Sequence, residues 1–421
     1  MRLDLRLVVI YIAVVFCALF CSACSDDVRD VNLCRDSLGA ETWLEVEKNE
    51  TIKICIDSKV RVWDNAPNTE VLNDSCLKYR VPTLVCVHSI NVKFLDSDSS
   101  HKINLAIGMK YLDFKNEEVL LGYNTGLAGF RVTTKTETFI TKEENPERVL
   151  SISGSYLVDK YPVTNCEIIQ TMWDNIPQNP TELDTTRNNH TKDWIFRKNS
   201  STHNEICTVH DSATNMVSLY QAMKYANARS FRDGLKPYYI FSETANKQVQ
   251  IISKGQYIIS YLDFTSHNTN LIQVSLDYTS DGYRLPFYDE WMMFARGGDK
   301  KYSAPWKNSN SFDEVSKFAK FDTKIEYNKT DYVGQLHPNG YGLYDILGMV
   351  DEHVLFEKIN PFRYYKGSPS CFKGGNIHDN WKNINYGSTS PNYYSSNAGG
   401  FRLIRNIGNN AKWEEIKSET K

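Results

Sequence analysis

The side chains of this 421-residue chain that could do chemistry are few, and their spacing limits what that chemistry can be. His378 and Asp379 are adjacent, follow Gly374-Gly375, and could face one pocket. A histidine and an aspartate are two of the three or four ligands a transition-metal site needs, so a surface or hydrogen-bonding role stands beside the metal reading. Seven cysteines follow Cys24, namely Cys34, Cys55, Cys76, Cys86, Cys166, Cys207 and Cys371, and no two of them form a CxxC pair. That spacing supports neither a zinc ribbon nor a thioredoxin-like redox site. In an oxidising compartment the four cysteines before residue 90 are the expected disulfide set, with three possible pairings, and the odd total leaves a free thiol. No Gly-x-Ser-x-Gly elbow, phosphate loop or paired-carboxylate arrangement stands out. The tyrosine pairs Tyr238-Tyr239, Tyr364-Tyr365 and Tyr393-Tyr394 could stack on sugars or extended peptides, or simply supply core and surface of strands. With 48 basic against 51 acidic residues there is no basic excess, and nucleic acid is not an expected partner.

These residues need elements to hold them. The first 24 residues read as a secretory signal, with Arg2 and Arg6 ahead of an apolar run from Leu7 to Phe20. That run is short for a membrane span. Cys21-Ser22-Ala23-Cys24 is similar to a bacterial lipobox, with Cys21 where leucine is usual; Cys24 is then the lipidated residue, and an ordinary cleaved signal is the alternative. Residues 25–101 read as a small β-rich module or a looser extension, from period-two alternation in Thr51–Ile56 and Val60–Trp63, and from Leu84–Val87 and Ile90–Phe94. The polar run Asp96–Ser100 is the expected boundary. Three helices follow. Thr164 and Glu167 form a capping box ahead of Ile168, Ile169, Met172 and Trp173. Ser218 and Gln221 cap a second helix with Leu219, Ala222, Met223 and Ala226 on one face, Arg229 and Arg232 suiting its dipole, and Gly234 stopping it. A third follows Pro286, carries Glu290-Trp291 and ends at Gly297-Gly298. Two long insertions, residues 174–210 and 255–279, read as loops, the first either a ligand-facing wall or solvated chain.

Four phrases in fixed order then give the family resemblance. They are Gly282-Tyr283-Arg284-Leu285-Pro286 leading to Glu290-Trp291, Pro338-Asn339-Gly340-Tyr341-Gly342-Leu343-Tyr344-Asp345, Gly374-Gly375, and Gly400-Phe401-Arg402. From residue 102 to 407 the chain resembles the sulfatase-modifying-factor family, the formylglycine-generating enzymes and their relatives, leaving 408–421 as a polar tail. The resemblance implies an α+β, C-type-lectin-like mixed α/β fold, loop-rich, behind the β-rich N-terminal module. In catalytic members two cysteines follow the double glycine and hold copper. Here Asp379 and Ile384 occupy those places, Asn376 replaces a serine, and Asp351 replaces a tryptophan, so copper is not expected. A second catalytic branch holds non-heme iron on a His-x-x-x-His-x-Glu helix, a spacing none of the nine histidines forms. A calcium loop is implied at Asp345, Gly348, Val350 and Glu352, where the residue types suit a hard cation. A second calcium site is not implied, because its asparagine is replaced by Lys320. Arg284 and Arg402 read as scaffold, with Glu290 or Asp289 as partners for such an arginine.

The functional expectation is an exported, lipid-anchored protein of the bacterial outer membrane or periplasmic face, carrying a non-catalytic module. It meets the membrane through its N-terminal lipid and an unknown peptide, glycan or envelope protein through its loops. The alternative is a metal-dependent oxidoreductase with an altered centre at His378 and Asp379.

Overall fold

A computed structural model of the chain describes residues 28–64, 68–122, 148–172, 211–215, 217–243, 250–253, 256–263, 268–299, 304–306, 311–322, 330–356, 370–380, 384, 389–391 and 399–415. The signal segment with Cys24, the insertion at 174–210, Tyr364-Tyr365 and Tyr393-Tyr394 lie outside the described residues. The chain divides into two compact units, Met1–Ile107 and Gly108–Lys421.

In the first unit the strands are β1 (Val28–Leu33), β2 (Glu41–Val46), β3 (Thr51–Ile56), β4 (Val60–Asp64), β5 (Thr69–Asn73), β6 (Cys76–Arg80), β7 (Cys86–Phe94) and β8 (Ser100–Ile107). They form two four-stranded sheets, ordered β1-β3-β6-β5 and β2-β8-β7-β4. Alternate residues of both sheets, among them Ile52, Ile54, Leu77, Tyr79, Ile90, Val92, Ile103 and Leu105, fill one core, as period-two strands with one buried face must. Cys55 and Cys76, cross-strand partners on β3 and β6, form a disulfide, and Cys34 and Cys86 stay outside disulfide bonds. Sequence reads two short strands around Cys86 and Ile90; the structure joins them as β7, because Ile90, Val92 and Phe94 continue one buried face. The unit also runs past the expected join at 101/102 to Ile107. The polar run Asp96–Ser100 leads into β8, whose first residue is Ser100, and β8 pairs with β2 and β7 and completes their sheet.

The second unit opens with β9 (Met109–Leu121) and β10 (Arg148–Asp159), then α1 (Asn165–Met172) and α2 (Leu219–Arg232). Next come β11 (Tyr239–Glu243), β12 (Gln250–Ser253), β13 (Gln256–Asp263), β14 (Asn268–Leu276), α3 (Tyr288–Arg296) and α4 (Phe312–Val315). The last strands are β15 (Asp351–Leu355), β16 (Ser370–Lys373), β17 (Thr389–Pro391), β18 (Gly399–Gly400) and β19 (Ile404–Glu415). Its sheets are ordered β19-β10-β9, β11-β14-β13-β12 and β17-β16-β15-β18. The result is a loop-rich α+β fold. Both capping boxes form: Thr164 with Glu167, and Ser218 with Gln221.

Two expectations change. The insertion at 255–279 is not a bare loop, since β13 and β14 pair in antiparallel register within the β11 sheet. Residues expected as a polar tail extend β19 as far as Glu415, opposite Leu150 on β10. Arg229 lies in the last turn of its helix, as read, and is in addition fully buried, its Nη1 donating to both carboxylate oxygens of Asp159 at 2.9 Å.

Candidate functional site

β15 and β16 run antiparallel, with Glu352 opposite Lys373, and deliver the chain into Gly374-Gly375. Both glycines are needed: their φ angles are 97° and 76°, in the left-handed region, and a Cβ on Gly374 would lie 2.7 Å from the carbonyl of Ile346. A Cβ on Gly375 would meet Asp379 Oδ2 at 3.3 Å and Ile384 Cγ1 at 3.4 Å. The positions at which the resemblance implies a metal-binding cysteine pair therefore lie together over one glycine. Asp379 Oδ2 accepts from the backbone N–H of Asn376 at 2.9 Å, and the Asp379 N–H donates back to the Asn376 carbonyl at 3.0 Å. Asn376 Nδ2 donates to Asp351 Oδ2 at 2.8 Å, so Asn376 ties two buried carboxylates. Ile384 is buried in the main core of the unit. His378, half-buried, gives its backbone N–H to Asn376 Oδ1. Among the described residues, no group of three or more His, Cys, Asp or Glu side chains is placed to hold a metal ion.

Two titratable groups on β16 lie just ahead of the glycines. Burial pushes the Cys371 thiol up to about 12 and the Lys373 ammonium down to about 7. The Lys373 Nζ lies 4.8 Å and 5.2 Å from the ring centres of Tyr288 and Trp291, a cation–π cradle for a charge taken out of water. Sequence reading missed Lys373; the available signal was a lysine closing the otherwise uncharged run Ser370-Cys371-Phe372.

The calcium loop divides in two. Asp345, at φ 52°, is buried; its Oδ2 accepts from the N–H of Gly334 at 2.6 Å, while its Oδ1 is buried with no hydrogen-bond partner. Burial raises its carboxyl to about 6. An acceptor left in this way fits a hard cation. Glu352 does not fit in the same manner. Its two oxygens receive Nε and Nη2 of Arg402 at 2.7–2.9 Å and Nε1 of Trp291 at 2.7 Å. The alternative in which Asp345 and Glu352 are solvated does not hold, because both are buried.

The arginine readings resolve into separate pairs. Arg284 grips Glu290 at 2.7 Å with two nitrogens, Asp289 pairs with Arg148, and Arg402 takes Glu352. Tyr238 and Tyr239 are buried edge to face, and the Tyr239 hydroxyl accepts from the N–H of Leu285, so this pair is framework and not a ligand platform.

Comparison with known proteins agrees with the chain's phrases. A curated relative from Paenibacillus barcinonensis, "Chaperone protein LppX", is 33% identical over 151 residues, which are 32% of this chain and 49% of the relative. The chain thus spans about half the length of the curated relative it matches. Among solved structures it is similar to "Treponema denticola variable protein 1", at 19% identity and a TM-score of 0.43, over 76% of this chain and 99% of that one. It is similar also to CarF, at 18% identity and a TM-score of 0.38, over 70% and 99% of the two chains. For PvdO from Pseudomonas aeruginosa the values are 14% identity and 0.38, over 71% and 94%. The family model for the sulfatase-modifying factor enzyme 1-like domain matches residues 123–407, and the chain belongs to that family.

Proposed function

We propose that this chain is an exported, lipid-anchored envelope protein whose sulfatase-modifying-factor-like domain serves as a binding or structural module and not as a copper oxidase. One observation carries the reading. Asp379 and Ile384 share the space over Gly375, the first hydrogen-bonded into its own turn and the second packed in the core. Copper(I) is held by soft thiolate sulfur, which neither a carboxylate nor an alkyl chain supplies. Cys371 offers no substitute, because burial keeps its thiol protonated at neutral pH. The relative named as a chaperone protein favours a polypeptide over a glycan as the bound partner. Calcium, in this reading, rests on Asp345 Oδ1 with the carbonyls of Gly348 and Val350, while Glu352 lends charge from its Arg402 pair.

Metal analysis of the purified protein, after loading with copper and iron salts and desalting, tests the reading. Substoichiometric copper and iron are expected. One tightly held ion per chain would overturn it in favour of an oxidoreductase built on His378 and Asp379. Fatty-acid labelling of the expressed precursor, lost in Cys24→Ala, is the expected result for the anchor; labelling that persists in the variant would contradict it.

A further inference from the structure

Lys320 follows α4, and its ammonium is met by oxygen. Its Nζ donates to Asp331 Oδ2 at 2.8 Å and to Gln335 Oε1 at 3.1 Å, with both charged side chains about three-quarters buried. The same stretch carries Gly334, whose N–H holds Asp345 Oδ2, so a second carboxylate lies against it with one buried oxygen unpartnered. The lysine's origin is fixed by backbone packing. Met349 N–H donates to the Lys320 carbonyl at 3.0 Å, and a Cβ on Gly348 would fall 2.3 Å from that same carbonyl oxygen. Burial alone would raise the Asp331 carboxyl, yet the Lys320 hydrogen bond and the Tyr332 N–H hold it below its ordinary value. Carboxylate and carboxamide oxygens on a short loop are what a hard divalent ion selects. Here they converge on a side-chain cation.

We infer that Lys320 is the resident cation of this oxygen cluster, filling the place of a divalent ion, and that removing its ammonium uncovers a calcium site built on Asp331 and Gln335. A tethered ammonium differs from calcium in three ways. It cannot diffuse away, it brings one charge where calcium brings two, and its three donors replace six to eight oxygen contacts. The anchoring of Asp331 and Gln335 to the segment after α4 is then independent of calcium in the surroundings.

The test uses the full chain and three variants. Calcium stoichiometry is measured by calorimetric titration, and thermal unfolding is followed in chelator and in excess calcium. Lys320→Gln is expected to bind one more calcium per chain than the parent, to melt lower than the parent in chelator, and to recover with calcium. Asp331→Asn added to Lys320→Gln is expected to abolish the extra ion, and Lys320→Arg to bind no more than the parent. Should Lys320→Gln be unfolded in chelator, folding restored by calcium supports the inference and failure to restore it overturns it. An unchanged count in Lys320→Gln, or an extra ion that survives Asp331→Asn, also overturns it. Because the count is taken relative to the parent, a parent that binds no calcium would contradict only the separate proposal at Asp345.

Discussion

Asp379 and Ile384 both lie against the space over Gly375, a carboxylate and an alkyl chain where copper(I) would call for soft sulfur. The sequence shows both substitutions, because they sit at fixed distances from a Gly-Gly pair. It does not show that Asn376 closes the turn onto Asp379 and reaches Asp351, since that depends on β15 and β16 being neighbours. The carboxylate of Asp345 was visible in the sequence, whereas its burial and the pairing of Glu352 with Arg402 were not, because Glu352 and Arg402 are far apart in the chain and meet only in the core. A buried carboxylate whose Oδ1 has no partner destabilises the metal-free protein. Asp345→Asn is therefore expected to raise metal-free stability by about 1–3 kcal/mol and to remove any stabilisation by calcium, both read from urea unfolding with and without chelator. Lys373 carries a pH dependence. Its folded value near 7 lies below the ordinary 10.5, so between these pH values the unfolded chain binds more protons and stability rises with pH. Lys373→Met should flatten that rise relative to the parent; an unaltered slope would show that the ammonium is not held as described.

At the scale of elements, the helices were the most legible parts. Thr164–Glu167 and Ser218–Gln221 are local signals, each confined to one turn, and both boxes form as read. Ser218→Ala should cost about 1 kcal/mol, the usual value of a cap, measured by the urea midpoint. Arg229 shows where local reasoning stops. Its place near the end of α2 suits the dipole, but its charge is matched by Asp159 on β10, a contact no local pattern announces. Arg229→Met leaves a buried carboxylate without its partner and should cost about 3–5 kcal/mol, several times the loss from the cap. Equal losses in the two variants would contradict the ranking. The hairpin of β13 and β14 was missed because its segment, ahead of the first family phrase, was read only as an insertion and not for strand pattern.

At the scale of the molecule, the chain divides after Ile107, where β8 ends paired with β2 and β7, and not at the polar run before it. The disulfide could not be chosen from sequence among three pairings; cross-strand register on β3 and β6 selects Cys55–Cys76. A separation of 21 residues implies loop-closure stabilisation of about 3 kcal/mol, which Cys55→Ser should forfeit in unfolding under non-reducing conditions. The central claim is that the family scaffold persists here with its copper centre replaced. Copper(I) titration of the parent against the double variant Asp379→Cys/Ile384→Cys tests this most directly, because both positions face Gly375. The account predicts no stoichiometric copper(I) in the parent and one tightly bound ion in the double variant. A parent that binds one copper(I) as tightly as the double variant would contradict it.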